Sequence, residues 1–432
     1  MKKILLVFVL ASLNWACKTT QQIAQKPSIN TLIDTSGILK NSFTGMALTD
    51  LEGNSIFERN ADRYFTPASN TKLFTLFASL KTLGDSLPSL RFVKKGDSLI
   101  FWGTSDPTTL HPDFQNAAAI KFLKSRKEKL FYSSSNFTSP YFGSGWSWDD
   151  YNDSYSPELS GLPLYGNIVR FQVKEKQATV NPSIFKSSFS LNKTSTANEV
   201  TRTQHDNQFD VPASTTQAAD YKQDIPFKTS AALTQQLLMD TLKRNVNLIQ
   251  MAVPTNAQTI FGVKADTVYR KLMQESDNML AEHLMLLCGS SLRDSANTHF
   301  AIEQITEKYL KNLPDAPKWI DGSGLSRYNL FTPRTIAALC RELAKTKPLT
   351  EIYELLAAGG KSGTLKGLYK ADKPFVFAKS GSLSGVYNLS GFIETKSGKT
   401  LVFSMMHNNF THGASEIRKE TERILTWVRD NY

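Results

Sequence analysis

Hydrophobic residues follow a strand-like spacing in some parts of the chain and a helical spacing in others. The changes between these two spacings predict where the strands and helices lie. Strand-like runs at 42–49 and 55–59 flank a turn at 50–54, which predicts a β-hairpin. Directly after this hairpin, Leu73 to Leu80 carry apolar residues at helical spacing. Ser69 is therefore expected in the first turn of a buried helix.

Residues 87–227 have a different texture, because short strand-like runs alternate there with turn-rich loops. Within this region, 186–223 is rich in Ser, Thr, Gln and Asn and shows little apolar periodicity, which predicts edge strands or mobile structure. Helical spacing returns at residue 230. The chain closes with strand-like runs and a helix, at 375–378, 385–393, 400–406 and about 414–431.

Strands at both ends of the chain around a helical middle predict an α+β fold, an antiparallel sheet with helices. We expect one discontinuous domain formed by 34–86 and 228–432. A mainly β domain, 87–227, is expected to be inserted into it. The sheet of the discontinuous domain would then draw strands from both ends of the sequence.

The N-terminus is typical of an exported protein. Two lysines precede an apolar run at 4–13 that is too short to span a bilayer, and a small residue precedes Cys17. We predict a signal peptide over 1–17 and a polar tether over 18–33. The junction resembles a bacterial lipoprotein signal, in which a lipid on Cys17 would hold the protein at the membrane. Residues 14–15 fit that signal poorly, so simple secretion stays open.

Composition narrows the possible partners. The 432 residues suffice for two or three domains, and the formal net charge of +11 favours anionic surroundings. The basic cluster at 121–129 is interpreted as a solvated face, since no nucleic-acid-binding module accompanies it, and no nucleic-acid partner is expected. The six histidines show no paired ligand spacing, so neither a metal nor another cofactor is expected, and His283 is interpreted as a core residue. Cys288 and Cys340 are interpreted as buried free thiols, although one bridge stays possible.

Ser69 and Lys72 form a Ser-x-x-Lys pattern at the start of the predicted helix. Residues three apart share a helix face, so the lysine amine can reach the serine hydroxyl. A lysine whose pKa is lowered by burial and nearby positive charge can take the proton of a serine nucleophile. The pattern also occurs at Ser183 and Ser190, where no long apolar helix follows. Taken alone, Ser69 is interpreted equally well as a helix-capping serine.

Two further polar motifs lie in suitable local structure. Ser276-Asp277-Asn278 stands between two helical stretches, where it can face a cleft or merely cap the following helix. Lys379-Ser380-Gly381-Ser382 follows the strand at 375–378. Its lysine can hold a substrate carboxylate and keep a second lysine neutral. The backbone N–H of Ser382 is a candidate partner for that of Ser69 in an oxyanion hole. Lys361 and Lys396 also begin Lys-Ser-Gly runs, but they lie in a loop and a turn.

In this order, the three motifs are the signature of penicillin-recognising serine enzymes. From about Phe43 to the C-terminus, the sequence resembles the D-Ala-D-Ala carboxypeptidase/endopeptidases of the class C, penicillin-binding protein 4 type. Besides the three motifs, the resemblance rests on Trp146-Ser147-Trp148-Asp149-Asp150, Asp321 to Arg327 and the extension of the last motif through Leu389.

The resemblance implies a penicillin-binding transpeptidase/β-lactamase-like fold, with peptidoglycan stem peptides as substrates and β-lactam antibiotics as covalent inhibitors. It implies that Ser69 forms an acyl-enzyme, that Lys72 accepts its proton and that Ser276 relays a proton to the leaving amine. The implied substrate contacts are made by Asn278, Lys379, Ser380, Gly381 and Ser382, with Asp149 and Arg327 near the distal part of the peptide.

The sequence departs from the family pattern at Ser380, where threonine is commoner, and in an insertion that is short for the family. Two other functions were weighed. A β-lactamase would share the short motifs, but no acidic deacylation base of the class A type is identifiable. A non-catalytic peptidoglycan-binding protein would be expected to lack Ser69, Lys72 or Lys379, and all three are present. Trp146 and Trp148 are interpreted as packing residues of the insertion.

Overall fold

The computed structural model describes residues 27–432. The predicted signal peptide, Cys17 and most of the predicted tether lie outside these residues. The described strands are β1 Phe43–Asp50, β2 Ser55–Arg59, β3 Ser86–Lys95, β4 Ser98–Gly103, β5 Lys129–Ser133, β6 Ile168–Lys174, β7 Gln177–Asn181, β8 Phe189–Asn192, β9 Thr201–Arg202, β10 Phe209–Pro212, β11 Asp220–Pro226, β12 Val246–Leu248, β13 Gln258–Lys264, β14 Ala357–Ala358, β15 Val376–Leu383, β16 Val386–Glu394 and β17 Thr400–Asn408. The described α-helices are α1 Ile29–Asp34, α2 Lys72–Thr82, α3 Ala118–Ser125, α4 Ala213–Gln217, α5 Ala231–Leu242, α6 Ala265–Glu275, α7 Asn278–Arg293, α8 Thr298–Tyr309, α9 Pro333–Ala344, α10 Leu349–Leu355 and α11 Ala414–Asn431.

The largest sheet has six strands in the order β14-β15-β16-β17-β1-β2. All its neighbouring strands are antiparallel, and β1 pairs with β17 in a register that places Phe43 opposite Asn408. The first and last strands of the chain therefore meet at the middle of one sheet. This arrangement confirms the predicted α+β fold, with an antiparallel sheet built from both ends of the sequence.

The strands of this sheet are buried on both sides because helices cover both of its faces. Met46 and Leu48 of β1 pack in a core shared with α1 and α11, whereas Ala47 between them packs in the core formed with α2, α7 and α9. The alternation follows from the two-residue period of a strand. The nucleophile candidate and the Ser276 motif both lie on the second of these faces.

The predicted tether differs from the structure at its described end. Residues 29–34 form α1, whose N-terminus is capped by the Ser28 side chain, and Ile29 and Ile33 are buried against the core that contains α11. The pattern Ile29, Ile33 is one helical turn apart, so it supplies a short apolar stripe within an otherwise polar stretch. Part of the predicted tether is thus a packed helix.

Residues 86–264 form three smaller sheets, a five-stranded one in the order β12-β5-β4-β3-β13 and three-stranded ones in the orders β11-β6-β7 and β8-β10-β9. The polar tract at 186–223 supplies β8 to β10, whose Phe189 and Phe209 rings stack at 4.4 Å. Strands β12 and β13 lie beyond residue 227, where the insertion was predicted to end, and pair with β5 and β3, so we propose that the insertion extends to about Lys264.

Both cysteines of the described chain, Cys288 and Cys340, are free and buried, as the default interpretation held. Their thiols lie among apolar side chains of the core that contains α2, α7 and α9. None of the helices between residues 27 and 432 is long and apolar enough to cross a membrane.

Candidate active site

Ser69 lies in a 3₁₀ turn, Ala68–Thr71, that leads directly into α2. The predicted helix is confirmed, and the serine stands just before it rather than inside its first α-helical turn. Ala68 has a left-handed backbone with a φ of 47°. Gly324, itself at φ +82°, packs so closely that a Cβ there would stand 1.9 Å from the carbonyl oxygen of Ala68. The strained turn is therefore held by direct backbone packing.

Lys72 connects the nucleophile candidate to the second motif. Its Nζ donates to Ser69 Oγ at 2.9 Å and to Asn278 Oδ1 at 2.7 Å. A third hydrogen bond, of 2.8 Å, goes to the carbonyl oxygen of Ser323. The side chain is fully buried, and this burial lowers the pKa of Lys72 to about 8, although Glu282 and other nearby carboxyls oppose the shift. A lysine of this kind can accept a proton near neutral pH.

Lys379 lies within β15, whereas the sequence placed it just after a strand. Its Nζ donates to Ser276 Oγ at 2.8 Å and to the carbonyl oxygen of Ser380 at 2.5 Å. Burial, together with the charge of Lys72, holds the pKa of Lys379 well below its usual value. The charge of Lys72 thus disfavours protonation of Lys379. The predicted converse, that Lys379 holds Lys72 neutral, stays a prediction, because burial is what lowers the pKa of Lys72.

The Ser276 motif joins α6 to α7, as predicted. Ser276 has a left-handed backbone with a φ of 64°, which ends α6 and turns its side chain towards Lys379. The Asp277 side chain caps α7 by accepting from the backbone N–H of Leu280 at 2.9 Å. Within this motif, Asp277 therefore caps the helix, whereas Ser276 faces the cleft.

The remaining residues of the third motif line the space beside Ser69. Gly381 packs so that a Cβ there would stand 2.9 Å from the backbone nitrogens of Ser69 and Asn70, which leaves glycine as the residue that fits. Ser380 Oγ shares a 2.7 Å hydrogen bond with Thr364 Oγ1. The structure thus brings together Ser69 and the predicted residues Lys72, Ser276, Asn278, Lys379, Ser380, Gly381 and Ser382.

Two cavities of about 380 Å³ each open beside Ser69. We call the first the distal cavity; it is lined by Ser69, Gly145, Ser147, Asp150, Tyr155, Asn278, Gly324, Leu325, Arg327, Ser382, Leu383 and Ser384. We call the second the leaving-side cavity; it is lined by Ser69, Ser276, Thr364, Ser380, Ser382, Tyr387 and Arg418. Ser69 and Ser382 border both, so a peptide crossing the nucleophile can fill one on each side.

Of the two predicted distal residues, only Arg327 lines the distal cavity, where its guanidinium donates to the carbonyl oxygen of Ser384 at 3.1 Å. Asp149 is exposed and lies outside the cavity, and the neighbouring Asp150 lines it instead. The Tyr155 hydroxyl lies 3.0 Å from both Asp150 Oδ1 and Asp153 Oδ2. The short 3₁₀ turn at Trp148–Asn152 decides which acidic side chain faces inward.

Two buried carboxyl groups near Lys72 were given no role in the sequence analysis, which named Asp321 only as part of a motif and did not name Glu282. Glu282 accepts from the backbone N–H groups of Gly322 at 3.1 Å and Ser323 at 2.7 Å, and burial raises its pKa to about 8. Burial also raises the pKa of Asp321, which accepts from the backbone N–H of Gly324 at 2.8 Å. An acidic residue inside the apolar run of α7 was a usable signal for Glu282, since buried carboxyls are rare without partners.

Trp146 packs against Leu159 and Leu286, in keeping with its interpretation as a packing residue, whereas Trp148 differs from that interpretation. Trp146 is half-buried, and its indole N–H donates to Asp321 Oδ2 at 3.0 Å, so it connects the insertion to the loop that contacts Lys72. Trp148 is 76% exposed and packs little of its surface. His283 is fully buried, with its Nδ1 3.0 Å from the carbonyl oxygen of Met279, which confirms the predicted core role.

Comparison with known proteins gives a consistent result. The model of the D-Ala-D-Ala carboxypeptidase 3 (S13) family matches residues 25–431. The chain is 24% identical to the D-alanyl-D-alanine carboxypeptidase DacB of Haemophilus influenzae, over 94% of this chain and 93% of that protein. Its fold is similar to the crystal structure of penicillin-binding protein 4 from the same organism, with a TM-score of 0.75, 19% identity and coverage of 93% and 99%. That protein has also been solved in complex with a β-lactam, a structure that matches with a TM-score of 0.66, 19% identity and the same coverage.

Proposed function

Because the chain belongs to the D-Ala-D-Ala carboxypeptidase 3 (S13) family, a family of serine peptidases that act on peptidoglycan, we propose that it hydrolyses D-Ala-D-Ala bonds through an acyl-enzyme on Ser69. The observation that carries this assignment is the 2.9 Å contact between Lys72 Nζ and Ser69 Oγ in a buried site. A serine needs an adjacent base to attack a carbonyl, and a lysine whose pKa is near 8 supplies one.

In the acylation step, the neutral Lys72 amine takes the proton of the Ser69 hydroxyl as Oγ bonds to the carbonyl carbon. The negative charge that develops on the carbonyl oxygen is stabilised by the backbone N–H groups of Ser69 and Ser382. Close packing of β15 on the nucleophile turn, seen at Gly381, supports this placement of the two N–H groups. Asn278 accepts from Lys72 through its Oδ1 and donates through Nδ2 to the carbonyl oxygen of Tyr155 at 3.1 Å, and the second N–H of that amide is the donor we assign to the substrate backbone.

The tetrahedral intermediate collapses when the C–N bond breaks and the leaving amine receives a proton. Ser276 is placed for that delivery, because its hydroxyl borders the leaving-side cavity and accepts from Lys379. Lys72 holds the proton taken from Ser69, and Ser276 relays it towards the amine. Ser380, which lines that cavity, contacts the leaving residue, while Lys379 holds the Ser276 hydroxyl in place. Water then hydrolyses the acyl-enzyme and restores Ser69, with Lys72 acting as the base a second time.

The distal cavity supports a peptide with both charge types at its far end. Arg327 offers a guanidinium and Asp150 a carboxylate, the latter standing where the sequence placed Asp149. Removal of a terminal D-Ala and cleavage of a D-amino-acid cross-link use the same acyl-enzyme and differ in the leaving amine. We propose both activities, since the acyl side of the site is common to them.

We also propose that the protein is exported and acts on the periplasmic side. The observations that support export are the two lysines and the apolar run at 4–13, which lie outside the described residues. Anchoring through a lipid on Cys17 is the finer part of this proposal. Labelling with a fatty-acid analogue, compared between the native chain and Cys17→Ser, tests it, and a label that survives the substitution would contradict it.

The test of the proposed function is intact-protein mass spectrometry after incubation with benzylpenicillin. We expect one long-lived covalent adduct on the native chain and none on Ser69→Ala. Ser190→Ala is the matched control, because Ser190 begins another Ser-x-x-Lys run but is exposed on β8, and this variant should acylate normally. Rapid penicillin turnover without an adduct would instead indicate a β-lactamase. No adduct and no turnover would contradict catalysis and leave a peptidoglycan-binding protein.

A further inference from the structure

The leaving-side cavity is bounded on one side by the C-terminal helix α11, which contributes Arg418. The Arg418 guanidinium lies 5.5 Å from the centroid of the Tyr387 ring and 3.5 Å from Ser382 Oγ. Tyr387 is buried in β16, so its ring is a fixed support for the cation. These contacts hold the guanidinium at the cavity mouth before any substrate binds.

The leaving amino acid must occupy this cavity. The attacked carbonyl carbon lies at Ser69, and the amine it releases must lie within reach of the Ser276 hydroxyl that protonates it. The cavity that borders both residues is the leaving-side cavity, whereas the distal cavity does not include Ser276. The α-carboxylate of the leaving residue is two bonds from its nitrogen, which places that charge inside the same cavity.

A carboxylate in this cavity requires a positive partner, and Lys379 is poorly suited to provide it. Its amine is buried and already donates to Ser276 Oγ and to the carbonyl of Ser380. Burial and the neighbouring Lys72 favour the neutral amine, because they lower the pKa of Lys379. A guanidinium, by contrast, remains charged at every pH at which the enzyme works and presents a planar fork to carboxylates.

Among the residues that line the leaving-side cavity in the described chain, Arg418 is the one with a permanent charge. We propose that Arg418 is the specificity-determining cation that pairs with the α-carboxylate of the leaving D-amino acid. The inference rests on the proposed function and deepens it by naming what the enzyme requires of its leaving group. Ser380 and Ser382 then serve as neutral hydrogen-bond donors to the same carboxylate.

If Arg418 pairs with this carboxylate, the enzyme should prefer peptides that end in a free carboxylate over peptides that end in a neutral group. A hydrogen bond to a charged group typically changes a binding constant about 10- to 100-fold. Because Arg418 is exposed, solvent weakens its pairing, and we expect an effect at the lower end, about 10-fold. The pairing is present in both the ground state and the transition state, so its loss is expected mainly in kcat/KM through KM.

The test compares hydrolysis of two N-acylated peptides ending in D-Ala-D-Ala, one with a free carboxylate and one with a C-terminal amide. For Arg418→Gln we expect kcat/KM on the acid to fall about 10-fold, while kcat/KM on the amide changes less than about 2-fold. Arg418→Lys should retain part of the preference. Lys419→Gln is the matched control, because Lys419 is an exposed cation on the same helix outside the cavity, and it should behave like the native chain.

Two results would overturn the inference while leaving the proposed function intact. In one, Arg418→Gln keeps the native ratio of acid to amide hydrolysis. In the other, both substrates slow equally, which would indicate a merely structural role for Arg418. A native chain that hydrolyses neither peptide and forms no penicillin adduct would contradict the proposed function itself, and the inference with it.

Discussion

The pH dependence of acylation follows from the buried position of Lys72. Its amine must be neutral to accept the Ser69 proton, and burial sets its pKa at about 8, opposed by the charge of Glu282 and other carboxyls. The folded protein therefore carries this lysine mostly as the ammonium at neutral pH. Raising the pH converts the inactive ammonium into the active base, so acylation should accelerate with pH rather than slow.

The magnitude can be worked from that pKa. With a pKa of about 8, roughly a tenth of the Lys72 amines are neutral at pH 7 and roughly nine-tenths at pH 9. The second-order rate constant for acylation should rise about 10-fold between these values and then level off. Because Lys379 is within the same buried network, the measured inflection belongs to the pair of amines rather than to Lys72 alone.

Stopped-flow or quenched acylation by benzylpenicillin, followed over pH 6 to 10 (about four units, spanning the expected inflection), measures this dependence. Parallel reactions with Ser69→Ala measure the rate of uncatalysed penicillin hydrolysis, and this rate is subtracted at each pH. Circular dichroism at the same pH values controls for unfolding. A flat profile, or a rise completed below about pH 6, would refute the argument, because either would mean that Lys72 is neutral throughout or that another group takes the proton.

The remaining predictions concern the support of the nucleophile. In Gly324→Ala, the new Cβ would lie 1.9 Å from the carbonyl oxygen of Ala68, on a residue whose φ is +82°. This substitution should lower the free energy of unfolding by at least about 2 kcal/mol and slow acylation. Gly367→Ala is the control and should do neither, because no atom lies within 4 Å of a Cβ at that position. Urea unfolding measures the first effect, and a Gly324→Ala protein of native stability would contradict it. The pKa of Glu282 is raised to about 8, so this residue becomes negatively charged over the same pH range in which Lys72 loses its proton. In Glu282→Gln that developing charge is lost, so the pKa of Lys72 should fall and the acylation inflection should move to lower pH. An inflection that stays in place or rises would show that Glu282 does not act on Lys72 electrostatically.

Much of the site was predictable because its chemistry is local. Ser69 and Lys72 are three residues apart at the start of a helix, so their contact follows from helix geometry alone. The terminal strands predicted a sheet made from both ends, and the pairing of β1 with β17 is that sheet. Each motif was ambiguous alone, and local structure around it separated Lys379 from the similar runs at Lys361 and Lys396.

What the sequence did not predict depends on contacts between distant residues. Strand β12 has three residues, too few to show a period, and it is recognisable only through its pairing with β5. Asp149 and Asp150 are chemically equivalent neighbours, and the backbone of one short turn decides which faces the cavity. Arg418 belongs to an exposed face of an amphipathic helix, where a cation usually indicates solvation rather than a site.

The arrangement of charges separates two tasks that one lysine would perform poorly together. A base must lose its proton during the cycle, and burial lowers the pKa of both Lys72 and Lys379, with the charge of Lys72 lowering that of Lys379 further. A group that pairs with a carboxylate must keep its positive charge. If a charged lysine beside Lys72 did this, its charge would be neutralised whenever substrate bound, and the pKa of Lys72 would change with it. Assigning the permanent charge to Arg418, at the cavity mouth and outside the buried network, lets the leaving group be recognised while the protonation of Lys72 stays set by the protein.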